Sequence, residues 1–164
     1  KEYWDQGLDV ILTGNFLVTQ AVVNKMINPE TKKCDNGGVV LNIASDLGVI
    51  APDQRIYKKN PDENFEEQDV KPIFYSAAKW GVIGITKYLA TYFAEKNIRV
   101  NSLSPGAVFD NHPTDFVNNI SNLIPMHRMA NVDEYKGAIV FLCSDASSYM
   151  TGHNLVVDGG RTIW

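Results

Sequence analysis

The sequence lacks the features that mark membrane, secreted and metal-binding proteins. No apolar run approaches the length of about 18 residues that a membrane-spanning helix requires, and no signal peptide is recognisable. The only two cysteines, Cys34 and Cys143, are not spaced like metal ligands, which predicts free thiols in a reducing cytoplasm. The three histidines are scattered along the chain, so we expect no metal site.

The sequence also lacks long runs of basic residues. No basic run is longer than the pairs Lys32-Lys33 and Lys58-Lys59, and the net charge is -4, so we expect no nucleic-acid partner. The 164 residues, 45% hydrophobic and 21% charged, suit one globular domain with a sizeable core. The chain begins Lys1-Glu2-Tyr3-Trp4, in helical periodicity and without methionine, so we expect a downstream piece of a longer protein.

Helical periodicity alternates with short β-branched runs along the chain. The pattern predicts helices at residues 4–27, 74–96, 114–120 and 132–144, and strands at 39–44, 98–104 and 154–157. Asn131 and Glu134 have the spacing of a capping box at the start of the last helix. This alternation predicts an α/β fold with a parallel sheet, in which the strand at 39–44 is buried on both faces. If the chain is a downstream piece and lacks upstream strands, this strand would have no neighbour on one side and would form an exposed edge.

Tyr75 and Lys79 are four residues apart at the start of the second long helix. On a helix this spacing places both side chains on one face. A cation held near a phenol favours the phenolate, so the pair is a candidate acid/base couple. The spacing is common, and the pair needs support from the rest of the chain.

The segment 51–72 shows no periodicity, is broken by Pro52, Pro61 and Pro72, and is rich in acidic residues. A loop of this length in a compact domain suggests a lid or a substrate-specificity loop, and a solvated surface excursion is the alternative. In the helix that follows, Ala77, Ala78, Gly81 and Gly84 form a smooth side. Two glycines within a helix predict close packing of that side on the sheet or on a partner subunit.

Four motifs stand in a characteristic order: Asn42-Ile43-Ala44-Ser45 at a strand end, Tyr75-x-x-x-Lys79, the run from Ile98 to Pro105-Gly106, and Tyr149-Met150-Thr151-Gly152 with Asp158-Gly159-Gly160. Together they resemble the C-terminal two-thirds of a short-chain dehydrogenase/reductase. The resemblance implies a Rossmann-type, doubly wound, three-layered parallel sheet without its N-terminal portion. Residues 1–164 would form one partial domain, the catalytic half.

The resemblance also implies an oxidoreductase that moves a hydride between NAD or NADP and an alcohol/carbonyl pair. By this resemblance Tyr75 would be the general acid/base, Lys79 would favour its phenolate and contact the nicotinamide ribose, and Ser45 would hold the oxygen of a small-molecule substrate. Pro105, Gly106 and Val108 match the loop that packs on the nicotinamide. A structural role for Ser45, satisfying local backbone, is the alternative.

Three departures from the family pattern bear on activity. The Gly-rich phosphate loop and the residue that selects NAD or NADP belong upstream and are absent from the sequence. Ile11 stands where many members have an asparagine that supports a proton-relay water, and Asn15, one turn later, is a candidate substitute. Phe109-Asp110 follows Val108 where members often have a threonine that contacts the carboxamide.

The long loop, Ala51-Pro52 and Arg128-Met129-Ala130 resemble a subgroup associated with bacterial surface-glycan gene sets, which suggests a sugar or nucleotide-sugar substrate. The acidic character of the loop is compatible with a hydroxyl-rich ligand. A 3-oxoacyl thioester reductase is an alternative, although it predicts a shorter, more apolar loop. A non-catalytic fragment or assembly module is another. The resemblance further implies a homodimer or homotetramer formed through the two long helices.

Overall fold

Three parallel strands form the sheet of the computed structural model, which describes residues 1–60, 62–64 and 66–164. The strands are β1 (Gly38–Ile43), β2 (Ile98–Pro105) and β3 (Asn154–Val157), in the order β1-β2-β3. Gly38 pairs with Ile98 and Ile43 with Leu103, while Ser102 of β2 pairs with Asn154. The predicted parallel sheet and its three strands are confirmed. Pro61, one of the three prolines in the long loop, lies outside the described residues.

The helices also follow the prediction, with one local difference. They are α1 (Glu2–Leu8), α2 (Gly14–Met26), α3 (Ile73–Ala94), α4 (Thr114–Ser121) and α5 (Lys136–Cys143). A π-helical turn, Asp9–Thr13, joins α1 to α2, so the predicted helix 4–27 is one helical run with a widened turn. Within the described residues, no helix is both long and apolar enough to span a bilayer.

Apolar side chains alternate along the strands and bury both faces of the sheet. Val40 and Val100 face one layer, where they pack with Val23 of α2 and Leu89 and Phe93 of α3. Their neighbours on the opposite face, Leu41 and Leu103, pack with Leu142 of α5 and Leu155 of β3. Helices on both faces of a parallel sheet make the three-layered, doubly wound architecture that the sequence predicted.

β1 differs from its prediction in burial. Only Asn42 of this strand is buried, and Ile43 is 46% exposed, so the expectation that both faces are buried is wrong. The reason is its position: among the described residues β1 has β2 on one side and no strand on the other. The predicted exposed edge is therefore observed in this part of the chain.

The small residues of α3 serve helix packing only in part. A Cβ added at Gly81 would lie 2.7 Å from Leu12 Cδ1, so the glycine lets the π-helical turn approach α3 closely. Ala78 is fully buried, but Ala77 is exposed and nothing lies within 4 Å of a Cβ added at Gly84. Close packing is thus confirmed at Gly81, against the preceding helical run rather than the sheet, and is not found at Gly84.

The capping box is present and begins a 3-10 turn, Val132–Tyr135, which leads into α5. The Asn131 N–H donates to Glu134 Oε2 at 2.8 Å. Arg128 donates to both carboxylate oxygens, at 2.6 and 2.7 Å. The hydrogen bonds from Arg128, and then the one from Asn131, lower the pKa of Glu134 from 4.5 to about 2.

This cap should stabilise the fold in a pH-dependent way. Because the folded-state pKa of Glu134 lies below its unfolded value of 4.5, its contribution is present above about pH 4.5 and is lost as the pH falls toward 2. Glu134→Gln should therefore lower the urea midpoint at neutral pH and have progressively less effect between pH 4.5 and 2. If Glu134→Gln lowered the urea midpoint equally at all pH values, the stabilisation would not come from the ionised carboxylate. If it lowered the midpoint by the same amount in an Arg128→Met background, the stabilisation would not come from the pair with Arg128.

A buried ion pair fastens the C-terminal segment to the end of β1. Arg161 Nη1 lies 2.7 Å from Asp46 Oδ2, and both side chains are 5% exposed. The other carboxylate oxygen of Asp46 accepts hydrogen bonds from the Ser45 hydroxyl and the Leu47 N–H. The pair thus joins a 3-10 turn at the chain's end, Arg161–Ile163, to the turn that carries Ser45.

Removal of Arg161 should be costly because it leaves a buried carboxylate without its counter-charge. We expect Arg161→Met to lower the free energy of unfolding by about 3–5 kcal/mol. The matched control is Lys136→Met, which removes an exposed pair with Asp133 and should cost less than about 1 kcal/mol. Denaturant unfolding of the two variants measures the difference, and equal losses would show that burial of the pair does not matter.

Candidate active site

A cavity of about 350 Å³ lies at the carboxyl ends of the strands. In a parallel α/β sheet this edge is where ligands bind. The end of β1 contributes Ser45 to its wall, the end of β2 contributes Pro105 and Gly106, and the first turns of α3 contribute Tyr75 and Lys79. Val108 lines it as well, so the structure brings together every site residue that the sequence predicted. This placement does not test their roles.

Tyr75 and Lys79 lie on one face of α3, as their spacing predicted. Lys79 Nζ is 5.7 Å from the centre of the Tyr75 ring and donates a 2.9 Å hydrogen bond to the Ile43 carbonyl at the end of β1. Burial lowers the pKa of Lys79, and the nearby charge of Lys71 acts in the same direction. Among the described residues, none hydrogen bonds to the Tyr75 hydroxyl, so this hydroxyl can interact with a bound molecule.

Ser45 is held by its own turn. It is 7% exposed, and its hydroxyl accepts from the Leu47 N–H at 3.2 Å while donating to Asp46 Oδ1 at 2.9 Å. The structural role that the sequence left open is therefore real, although the same side chain lines the cavity. To donate to a ligand, the hydroxyl has to rotate away from Asp46, whose charge is balanced by Arg161.

The wall near the end of β2 is apolar and closely packed. A Cβ at Gly106 would lie 2.7 Å from the Asp158 Cα, so only glycine fits between β2 and the segment after β3. Ala107 and Val108 continue this wall, and Val108 pairs with Ala130 through an isolated bridge. These residues line the same cavity as Tyr75 and Lys79, and they give it an apolar wall on which an aromatic ring can pack.

The long loop borders the cavity. Ile56 is buried against Ile120 and Met129, and Tyr57 and Lys71 also line the wall. The alternative of a purely solvated excursion is therefore wrong for this part of the loop. Its acidic residues do not line the cavity, and Asp69, for example, pairs with Lys59 at the surface. The charge that the loop brings to the cavity is therefore the positive charge of Lys71 and not the negative charge of its acidic residues.

Ile11 and Asn15, the residues of the second departure from the family pattern, lie beside this cavity. Ile11 is in the π-helical turn, and neither it nor Asn15 lines the cavity. Both line a neighbouring groove along β1, to which Lys79 also contributes. Asn15 donates to Asn42 Oδ1 at 3.2 Å, and its own Oδ1 is buried with no partner among the described residues. Its role as a substitute for the missing asparagine stays a prediction.

Sequence reasoning missed three charged residues of the site. They are Asp46, Lys71 and Arg161, which line the cavity. Asp46 and Arg161 are 115 residues apart in the sequence, and only the fold brings the three together. Asp46 directly follows Ser45, which is the one signal in the sequence that could have drawn attention to it. Neither Lys71, in an aperiodic loop, nor Arg161, after a glycine pair, carries such a signal.

A family model described as "Enoyl-(Acyl carrier protein) reductase" matches residues 66–162. D-threitol dehydrogenase of Mycolicibacterium smegmatis is 34% identical, over 98% of this chain and 55% of its own length. A 3-oxoacyl-(acyl-carrier-protein) reductase of Thermotoga maritima is 36% identical, over 99% of this chain and 58% of its own. The chain thus spans little more than half the length of these relatives.

Solved structures of similar proteins have the same fold as this chain. A short-chain dehydrogenase from Leptospira borgpetersenii with bound NAD+ superposes with a TM-score of 0.85 at 38% identity, covering 99% of this chain and 57% of its own. A gluconate 5-dehydrogenase from Burkholderia cenocepacia, in complex with NADP and tartrate, gives a TM-score of 0.81 at 28% identity and the same coverage. With the ordered motifs and the parallel sheet, these similarities show that the chain belongs to the short-chain dehydrogenase/reductase family.

Proposed function

We propose that the chain carries the catalytic half of an NAD- or NADP-dependent oxidoreductase, which transfers a hydride between the cofactor and an alcohol/carbonyl pair. The observation that carries this proposal is the Tyr75 hydroxyl, which has no hydrogen-bond partner among the described residues and lines one cavity with Lys79 and Ser45. A phenol, an ammonium and a hydroxyl around one space can exchange a proton with a substrate oxygen and stabilise its charge.

The residues present fit the nicotinamide end of such a cofactor. Pro105, Gly106 and Val108 form an apolar wall for a ring. Among the described residues Lys79 donates one hydrogen bond, to the Ile43 carbonyl, which leaves N–H groups for a ligand. When bound, the nicotinamide accepts or supplies the hydride. The sequence offers no Gly-rich loop for the pyrophosphate, so this chain accounts for only part of the cofactor site.

In the oxidation direction, each residue has one task. Ser45 rotates from Asp46 to donate to the substrate oxygen, which orients the alcohol. Tyr75, acting as the phenolate, takes the hydroxyl proton and becomes the phenol as the hydride leaves the carbon, so that the carbonyl forms without a free alkoxide. Lys79, fixed by the end of β1, holds its positive charge beside the phenol while the proton moves. Reduction follows the same steps in reverse.

A hydroxyl-rich substrate is supported by two of the similar proteins, a D-threitol dehydrogenase and a gluconate 5-dehydrogenase. The polar cavity wall, with Ser45, Tyr57, Tyr75 and Lys71, suits such a ligand. The relatives described above give no support to the surface-glycan subgroup or to a nucleotide sugar. Similarity to the 3-oxoacyl reductase of Thermotoga maritima supports the alternative of a 3-oxoacyl thioester substrate. The cationic cavity favours a small polar substrate instead.

We further propose that the assembled protein is a cytoplasmic homodimer or homotetramer built on the two long helices. Both helices expose large apolar side chains, an unusual concentration for a surface without a partner. The exposed residues are Phe16, Leu17, Val18 and Val22 on α2 and Trp80, Tyr88 and Tyr92 on α3.

Cofactor binding by the chain itself separates the catalytic proposal from the non-catalytic alternative. If the cavity accepts a nicotinamide, NADH or NADPH at millimolar concentration should receive excitation energy from tryptophan. Lys79→Met should weaken this transfer because it removes the cation beside the ring site. Absence of transfer with both cofactors would leave only the assembly-module interpretation for this chain.

Tyr75→Phe tests the proton-transfer role in an enzyme that contains this chain and a complete cofactor site. Loss of the hydroxyl should lower kcat by about 10²- to 10⁴-fold with little change in cofactor affinity, since only the transferred proton is affected. Tyr149→Phe, on a fully exposed side chain, is the matched control and should leave turnover unchanged. Steady-state kinetics of both variants measure this, and a surviving rate in Tyr75→Phe would remove Tyr75 as the acid/base.

A further inference from the structure

A second ammonium group lies over the Tyr75 ring. Lys71 Nζ is 4.1 Å from the ring centre, closer than Lys79 Nζ at 5.7 Å. Lys71 belongs to the long loop, two residues before α3, and its side chain lines the cavity. The family motifs in the sequence assign it no role, so its position beside the candidate acid/base requires its own explanation.

The backbone of Lys71 is fixed by a glutamine clamp. The Gln54 side chain accepts from the Lys71 N–H at 2.9 Å and donates to the Lys71 carbonyl at 3.4 Å. Gln68, which is buried, donates in turn to the Gln54 carbonyl at 3.0 Å. Gln54 directly, and Gln68 through Gln54, therefore order the backbone of Lys71, which restricts where its side chain can lie.

The charge of Lys71 is not balanced within the cavity. Asp46 is the carboxylate in the cavity wall, and it is already paired with Arg161 at 2.7 Å. Among the described residues, no carboxylate lies within ion-pair distance of Lys71 or Lys79. His112 is the remaining titratable side chain of the wall besides the two tyrosines, Tyr57 and Tyr75. The cavity thus holds an excess of positive charge beside the reacting hydroxyl.

This arrangement is unfavourable without a ligand. Burial lowers the pKa of the Lys71 ammonium, Arg161 lowers it further, and Asp46 opposes both effects. The charge of Lys71 likewise lowers the pKa of Lys79. A negatively charged ligand group between the loop and α3 would remove the repulsion and use the free N–H donors of Lys71, which form strong bonds to anions.

We propose that Lys71 binds an anionic group, a carboxylate or a phosphate, at one end of a hydroxylated substrate whose reacting carbon lies at Tyr75. The proposal rests on the oxidoreductase function above and narrows its substrate class from neutral polyols to hydroxy acids or sugar phosphates. Lys71 and Tyr75 border the same space, so the anionic group and the reacting hydroxyl belong to one short molecule.

The test compares three six-carbon ligands that differ at one end: D-gluconate, sorbitol 6-phosphate and neutral sorbitol. Their binding to the chain is measured by calorimetry, for the wild type and for Lys71→Gln. Lys71→Gln removes a hydrogen bond from a charged donor, so it should weaken binding of the preferred anion about 10- to 100-fold. Binding of sorbitol should not change, and the stronger of the two anions identifies carboxylate or phosphate as the group recognised.

Two further variants make the test specific. Lys71→Arg keeps the charge and should restore most of the anion affinity, which a misfolded Lys71→Gln protein would not. Lys33→Gln removes an exposed lysine from the loop before β1 and should leave all three affinities unchanged. Equal binding of the anions and sorbitol by the wild type, or an anion preference that survives Lys71→Gln, would overturn the proposal.

Turnover separates this inference from the proposed function. In an enzyme with a complete cofactor site, NAD- or NADP-linked oxidation of sorbitol with no preference for the anions would keep the function and reject the role of Lys71. Anion binding that depends on Lys71, without turnover of any of the three ligands, would support the binding site and count against the oxidoreductase.

Discussion

The parallel register of β1 and β2 is the constraint on which the site depends. Because Gly38 pairs with Ile98 and Ile43 with Leu103, the carboxyl ends of both strands lie at the same edge of the sheet. Ser45, which follows β1, and Gly106, which follows β2, then line the same cavity as Tyr75 and Lys79 in the first turns of α3. Lys79 strengthens this arrangement by donating to the Ile43 carbonyl, so the helix is bound to the strand end that carries Ser45.

The charged side chains around the cavity form one balanced pair and one unbalanced pair. Asp46 and Arg161 form a closed pair, buried and hydrogen-bonded, that fixes the turn of Ser45 and the C-terminal segment. Lys71 and Lys79 remain without counter-charges among the described residues, next to the phenol. The first pair is structural because its two charges balance each other. The two lysines have no such balance, so they can attract a negatively charged ligand. Such unsatisfied groups in a cavity are typical of functional sites.

Most of the fold could be predicted because its signals are local. Periodicity located the helices and strands, and Asn131 with Glu134 located the start of the last helical segment. The π-helical turn at Asp9–Thr13 and the partial exposure of β1 could not be predicted in this way. The first depends on how the helical run packs against α3 at Gly81, and the second on β1 being an edge strand among the described residues.

The sequence by itself determined the family, the parallel α/β fold and the candidates Ser45, Tyr75 and Lys79, because these depend on ordered motifs and helical spacing. Tertiary structure alone decided which charges surround them. Asp46 and Arg161 are 115 residues apart, and Lys71 lies in a loop without periodicity, so no local pattern joins them. Their meeting at one cavity follows from strand order and from the Gln54 clamp on Lys71, which are properties of the folded chain.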